Sequence, residues 1–474
     1  MTTAEKIYSA STSEDAATAG LAEKLARLIE DDIASNNVPV GGVMGSLREL
    51  SERYSVGRAA AREAVALLER RGLGRLRPGP CGGFIVAQPD FGAIGAELAN
   101  YFRMAGITLT QLKDAREAVD LMAAGLAASA RPDAEQIAKL AQPGECGSGP
   151  EWHLRIRAAI ARLTGEPVIE LIVECLNDLT AEFVRSDAEA SGWQMHAASQ
   201  AEVMCTALES GDVNAAQTEA ARLDVGLHEW LRRDDGALQL PAIDTSRMAD
   251  DRTLSTLVAR RLGAEILGSA GAGQRLGSEW DLCERFSVSR PTLRQAIRQL
   301  QDSGLVECRR GRGNGLVVRD LRGTGSIRLV LAYLISRQMD PMAAGTILFQ
   351  LNRFVPALAA SRANKEQRGK LKTLLERAQR SDPIDRYDLL RLVQCVSQLS
   401  DSPIIDLFSR SLAAYEARFH PFLAEGLPVH MQAEYFDLLH RLLDKIDAGD
   451  QAQLEWAKRE SARVMLEMSR SRPL

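Results

Sequence analysis

One block of sequence occurs twice in this 474-residue chain, and that duplication limits the possible folds more than any other feature. GSLRELSERYSVGRAAAREAVALLERRGLGRLRPGPCGGFIV begins at Gly45, and GSEWDLCERFSVSRPTLRQAIRQLQDSGLVECRRGRGNGLVV begins 232 residues later at Gly277. No gap is needed until just before the Gly-rich end of each block. Ser46 pairs with Ser278, Val56 with Val288, Arg58 with Arg290, Arg62 with Arg294, and Gly72-Leu73 with Gly304-Leu305. Each block follows an amphipathic helix, over 21–35 and over 254–269. The remainder of each half repeats more weakly: 110–130 resembles 346–363, and 207–223 resembles 445–461. These stretches are rich in Ala and Leu at helical spacing, which predicts two bundles of about six helices each.

The expected fold is therefore mainly α: two winged helix-turn-helix domains with small β-hairpin wings, each followed by an all-α bundle. The expected boundaries are a disordered tail over 1–15, a winged helix over 16–89, a bundle over 90–232 and a linker over 233–250. A second winged helix over 251–320 and a second bundle over 321–474 complete the chain. Segments at 232–252 and 320–326 have the Arg, Asp, Gly and Pro content of connectors. The length fits three or four domains.

Within each block the order is helix, tight turn, helix and Gly-rich hairpin. In the second copy Leu293, Ile297 and Leu300 fall on one helical face, which predicts that Ser289, Arg290, Thr292 and Arg294 point outward at the helix N-terminus. That end of the second helix is what a helix-turn-helix presents to base edges in the major groove. Arg309, Arg310 and Arg312, interleaved with glycines, form the expected tip of the second wing, where they suit phosphates or a narrow groove. Arg75 and Arg77 precede the tip of the first. Eight arginines face two acids between Arg285 and Arg319, and eight face four between Arg48 and Arg77. Both blocks are thus basic islands in a chain of net charge −5, and a DNA-binding face needs only local positive charge.

Other classes are disfavoured. No apolar run is long enough to span a bilayer, and the polar N-terminus is not a secretory signal. Seven cysteines without a C-x-x-C pair fit neither a disulfide framework nor a zinc ribbon and suit a reducing cytoplasm. No Ser/His/Asp or Cys/His constellation and no phosphate-binding loop that opens a helix is present, so no enzymatic activity is expected.

At these residues the chain resembles the GntR family of bacterial transcription regulators, in particular its FadR-like branch. SEWDLCERFSVSRPTLRQAIRQLQDSGLV follows that family's signature closely, and SLRELSERYSVGRAAAREAVALLERRGLG follows it with more departures. The resemblance implies three DNA-contacting arginines per reader, at Arg48, Arg58 and Arg62 in the first copy and at Trp280, Arg290 and Arg294 in the second. Trp280 is a departure, so the two readers are expected to prefer different half-sites. Gly57 and the three alanines after Arg58 leave the first helix few base-reading side chains. Specificity is therefore expected from the second reader and backbone affinity from the first.

The resemblance also implies that the bundles are effector domains for small carboxylates. Many family members hold a metal there with an Asp and three His. Here His153 stands in the place of the first His, but Gly149, Ala201 and Leu223 fill the other positions. In the second bundle Asp385 is in place, Leu389 replaces the His, and His440 is one residue out of register. One imidazole cannot hold a divalent ion, so neither a metal nor another cofactor is expected, and His153 and His440 read as structural. Arg116 and Arg353 match on the first long helix of each bundle, where family members place an effector-gripping arginine; an ion pair explains them equally well. The implied effector residues are Arg116, His153, Arg353 and Asp385. The expected partners are a double-stranded operator and a small carboxylate, with the two halves forming an intrachain pseudo-dimer and a further homodimer left open. The competing reading is a module that binds DNA nonspecifically, or binds protein, without sensing an effector.

Overall fold

The computed structural model describes residues 21–36, 38–79, 82–133, 135–137, 150–184, 193–228, 230–231, 251–269, 273–302, 305–308, 316–318, 323–380, 386–419, 428–446 and 450–470. The expected tail over 1–15, the linker over 233–250, the wing residues Arg309, Arg310 and Arg312, and Asp385 lie outside the described residues.

The first reader comprises Leu21–Ser35 (α1), Val43–Gly45 (β1), Leu47–Arg53 (α2), Arg58–Arg70 (α3), Gly74–Arg77 (β2) and Gly83–Val86 (β3). The first bundle follows with Phe91–Met104 (α4), Leu109–Ala130 (α5), Pro150–Leu163 (α6), Pro167–Phe183 (α7), Trp193–Ser210 (α8) and Val213–His228 (α9). The second reader repeats the first as Asp251–Ser269 (α10), Arg275–Gly277 (β4), Glu279–Phe286 (α11), Arg290–Asp302 (α12), Val306–Cys308 (β5) and Leu316–Val318 (β6). The second bundle consists of Thr324–Ser336 (α13), Pro341–Leu351 (α14), Val355–Arg362 (α15), Lys365–Arg380 (α16), Arg386–Leu399 (α17), Pro403–Phe419 (α18), Val429–Lys445 (α19) and Gln451–Arg470 (α20). The architecture is winged helix, bundle, winged helix, bundle.

The same local devices shape both readers. Each short helix opens with a capping box: Ser46 accepts from the Glu49 backbone N–H while the Glu49 carboxylate accepts from the Ser46 N–H at 2.7 Å. Ser278 and Asp281 do the same at α11. The turn before each recognition helix puts a serine in the left-handed region, Ser55 and Ser287 both at φ 52. Each three-stranded sheet is antiparallel, in the orders β1-β3-β2 and β4-β6-β5. Leu50, Val65, Leu68, Leu73 and Phe84 fill the first reader's core, and Leu282, Leu293, Leu300, Leu305 and Leu316 fill the second's.

Two expectations about the bundles need correction. Among the described residues the first has six helices of the kind expected, besides a helical turn at 135–137, whereas the second has eight, partly because the counterpart of α5 is broken into α14 and α15. Pro356 lies in the first turn of α15; inside a continuous helix its ring would clash with the preceding turn and remove a hydrogen bond. Arg353 therefore sits in the interruption and not on a long helix beside Arg116. The connector expected over 320–326 is also cut short, since α13 begins at Thr324. Gly323 caps it at φ 63, and a Cβ there would come within 2.8 Å of the Tyr101 hydroxyl of the first half.

Matching helices of the two bundles meet. Helix α4 packs on its own counterpart α13, and α5 packs on α14. Phe91 faces Tyr333 and Phe102 faces Phe408, with ring centroids 6.2 and 6.4 Å apart. Lys458 donates to Glu117 at 2.7 Å across this seam, and Arg362 pairs with Asp114.

The readers are seated differently. One continuous apolar core runs through the first reader and both bundles, while the second reader keeps a separate core of its own. Arg418, at the end of α18 in the second half, bonds Asp31 and donates to the Arg27 carbonyl at 2.9 Å. Glu30 beside them accepts from Arg71 at 2.6 Å. The first reader is thereby tied to the opposite bundle. The second touches the first bundle through α10 and α4.

Candidate functional site

The recognition helices α3 and α12 present their N-terminal arginines to solvent: Arg58, Arg62, Arg290 and Arg294 are all exposed. They face outward because the opposite faces, Ala61, Val65 and Leu68 in α3 and Leu293, Ala296 and Leu300 in α12, are fully buried. Arg294 pairs with Glu279 of α11, Nε to Oε1 at 2.5 Å, and Arg48 pairs with Glu52 one turn on at 2.8 Å. These are surface ion pairs of the kind that phosphate or guanine readily replaces. Arg75 and Arg77 lie exposed on β2, beside the Glu69 carboxylate that accepts from the Leu76 N–H at 2.7 Å.

Thr292 departs from expectation. It is buried, not outward, and its hydroxyl lies 2.7 Å from that of Ser289, which also accepts from the Thr292 backbone N–H. Ser289 thus caps α12 and the Thr292 hydroxyl is engaged with that cap. At the position matching Arg48, Trp280 is 61% exposed on α11, a large apolar surface beside the recognition helix.

The second site lies inside the first bundle. Arg116 and Asp120 on α5, His153 and Arg157 on α6, and Asp224 on α9 are all buried, with Thr180 of α7. Arg116 donates through Nε to Thr180 Oγ1 at 2.8 Å and through Nη2 to Asn177 Oδ1 at 2.6 Å. Arg157 donates through Nε to Asp120 Oδ2 at 2.6 Å and through Nη1 to the His153 carbonyl at 2.9 Å. Its Nη2 stands 3.7 Å from Asp224 Oδ1, and the other oxygen of Asp224 is 3.5 Å from His228 Nε2. Neither Arg116 Nη1 nor Arg157 Nη2 has a hydrogen-bond partner. Asp120 and Arg157 line a small cavity closed by Ala123, Ile160, Ala220 and Leu223.

Burial sets the charge states. Loss of solvent pulls His153 down to about 3 and His228 to about 4; Arg157 and Arg116 add to both effects, and Lys113 also depresses His228. Both imidazoles are neutral near pH 7. Desolvation raises Asp224 well above the usual carboxylate range, against the pull of Arg157. It also lowers Arg116 to about 10, which leaves the guanidinium charged at neutral pH.

Of the expected effector residues, Arg116 and His153 fall in this cluster. Arg353 is equally buried but elsewhere: its Nε donates to the Gln350 carbonyl at 3.0 Å, and the nearest opposite charge is Glu117 of the first half. Half-buried His440 makes a 3.1 Å contact with Gln379 near the surface. Asp120, Arg157, Asn177, Thr180, Asp224 and His228 were not anticipated. A signal was available: Arg116/Asp120, His153/Arg157 and Asp224/His228 are each four residues apart, on helices that also bury apolar residues.

Against known proteins, the profile of the bacterial regulatory proteins, gntR family, matches residues 21–81 and again 254–315. An uncharacterized HTH-type transcriptional regulator of Mycobacterium tuberculosis is 34% identical over 29% of this chain and 54% of its own length. The HTH-type transcriptional regulator Mce2R, also of M. tuberculosis, is 31% identical over 24% of this chain and 48% of its own. The chain thus spans about half the length of these curated relatives. A solved GntR structure from Streptococcus agalactiae is similar over 46% of this chain and 100% of that one, at 18% identity and a TM-score of 0.34. No helix among the described residues is long and apolar enough to cross a membrane. The two matches coincide with the two readers built above, so the chain carries the DNA-binding domain of the gntR family twice.

Proposed function

We propose that this chain regulates transcription by binding an operator through both winged helices, each reading one half-site. The observation that supports this most is the equivalent placement of two exposed arginines at the N-terminus of each recognition helix, Arg58 and Arg62 on α3 and Arg290 and Arg294 on α12. Arginine there gives a bidentate contact to guanine or a charge-assisted bond to phosphate. Arg48, Arg75 and Arg77 add backbone affinity, as do Arg309, Arg310 and Arg312 at the second wing, while Ser289 caps α12 and Thr292 engages that cap. The pairing of α4 with α13 and of α5 with α14 supports an internal pseudo-dimer, in which the second half-site contact becomes intramolecular. The same reading makes the first bundle the sensor of a small carboxylate, taken up by Arg116 Nη1 and Arg157 Nη2. A ligand bound there acts on DNA binding only as far as it favours one arrangement of the readers over another.

The test is selection of bound duplexes from a random pool by the parent and by Arg58→Ala/Arg62→Ala and Arg290→Ala/Arg294→Ala variants. The expected result is a bipartite motif from which each double variant erases one half, with a loss of about 1–3 kcal/mol of discrimination per guanine contact. Enrichment of no motif, with binding that only follows salt, would instead identify a nonspecific DNA-binding or protein-interaction module.

A further inference from the structure

The metal site that the family resemblance implies does not fit the first bundle, and the reason lies in one side chain. Four residues of metal-ligating chemistry surround Arg157 on three helices: Asp120 of α5, His153 of α6, and Asp224 and His228 of α9. Two carboxylates and two imidazoles are the donor set that a borderline divalent cation such as Zn2+ or Co2+ takes. Yet among the described residues no three such groups are arranged to hold an ion. The guanidinium of Arg157 stands among them. It donates to Asp120 at 2.6 Å, lies 3.7 Å from Asp224, and its charge reaches both imidazoles. Arg116 adds a second buried cation, 3.8 Å from Asp120. A divalent ion entering this space would meet two fixed positive charges and would have to compete for carboxylates already engaged.

We propose that the Arg157 guanidinium is a built-in cation standing where related bundles place a metal ion, so that this bundle is organised without metal. Removing that one side chain turns its surroundings into a site for a divalent cation. The chemistry is consistent on both sides. A guanidinium offers a permanent charge and planar donors to two carboxylates, and unlike a metal it neither dissociates nor depends on supply. The second half supports the assignment from the other direction. The match of His153 with Leu389 and the alignment of 207–223 with 445–461 place Leu389, Val393, Ala462 and Leu466 where the first half has His153, Arg157, Asp224 and His228. Where the central cation is absent, so are these three neighbours. This inference does not depend on the reading of the operator or of the effector, and its test involves neither.

The experiment uses the full chain, stripped of metal with a chelator, as parent, Arg157→Ala and Arg157→Gln. Each is titrated with Co2+, followed by its visible absorption, and with Zn2+, followed by metal content after desalting and by melting temperature. The parent is expected to retain no stoichiometric metal and to melt at the same temperature with and without chelator. Arg157→Ala is expected to take up close to one equivalent, to show a Co2+ spectrum with nitrogen and oxygen ligands, and to be stabilised by Zn2+. Adding Asp224→Ala to that variant should weaken its metal binding at least about tenfold. Arg157→Gln, which keeps polar contacts but no charge, should bind more weakly than Arg157→Ala and more tightly than the parent. Stoichiometric metal in the parent would overturn the proposal. So would folded Arg157 variants that take up no metal. If the variants fold only when expressed with added zinc, the proposal stands; if they are unfolded with and without it, the cluster is an ordinary ion network and the proposal fails.

Discussion

The two bundles descend from one repeated plan, yet they bury charge at different places. The first buries two arginines, two aspartates and a histidine between α5, α6 and α9. The second has Leu389, Val393 and Ala462 where the first has His153, Arg157 and Asp224, and it buries its charges elsewhere, at Arg353, Asp388, Glu416 and Lys458. A buried ion network contributes little net stability, because desolvation offsets most of the Coulomb attraction. An apolar interior of the same shape is easier to stabilise. The second bundle therefore shows that this architecture folds without charges between these helices, and the polar cluster of the first marks where a demand other than stability has acted. The readers differ in a related way: the one clamped by Arg418 shares the common core, and the other has a core of its own.

This contrast can be broken or sharpened by substitution. The largest effect is expected from Arg157→Leu in metal-free buffer, which leaves buried Asp120 with only the more distant Arg116, 3.8 Å away. A loss of about 3–5 kcal/mol in unfolding free energy by denaturant titration is expected. The matching change Val393→Leu, at a position 41% exposed, should stay within about 0.5 kcal/mol. Equal effects at the two positions would mean that the ion network is not what separates the bundles.

A smaller effect concerns acid. The folded-state pKa of His153 is depressed to about 3, so its contribution is fully present above the ordinary histidine pKa and is lost as pH falls from about 6.5 toward that value. Between pH 7 and pH 5 this amounts to roughly 2 kcal/mol, an upper figure for a group that relaxes when protonated. His153→Leu, which copies the second bundle, should flatten the stability profile over that interval. Asp224, whose pKa is raised, acts with the opposite sign, favouring the folded state as pH falls. An unchanged slope in His153→Leu would show that the imidazole is not the group responsible.

The smallest effect tests the seam. Lys458→Ala removes a partly exposed pair with Glu117, and a cost below about 1 kcal/mol is expected. Its sharper readout is hydrogen exchange on α5 and α20, which should rise together if the two bundles open as one unit. Exchange confined to α20 would show that they open separately.

Much of the fold was legible in the chain. Duplication, helical periodicity, the turn serines and the capping residues are local signals, so both readers, and the outward arginines of their recognition helices, could be read directly. Thr292 was misread because helical spacing gives a direction but not a neighbour: its hydroxyl turns back to the Ser289 hydroxyl that caps the helix. Arg353 was misread because alignment matched residue types while Pro356, three residues on, had already broken the helix. The buried cluster was found only in part. Arg116 and His153 were singled out by analogy with related proteins. Asp120, Arg157, Asp224 and His228 look in sequence like ordinary helix-surface charges.

Sequence alone therefore determined the repeated architecture and the two winged-helix elements that match the gntR family, because each is encoded by residues within a few turns of one another. Tertiary structure decided which charges are buried, which arginine stands among the carboxylates, and which reader is tied to the opposite bundle. Those outcomes depend on helices more than thirty residues apart in the chain, such as Asp120 against Arg157, or on opposite halves, such as Arg418 against Asp31. Burial and charge pairing are properties of the packed interior, and the periodicity of a single helix does not specify what faces it.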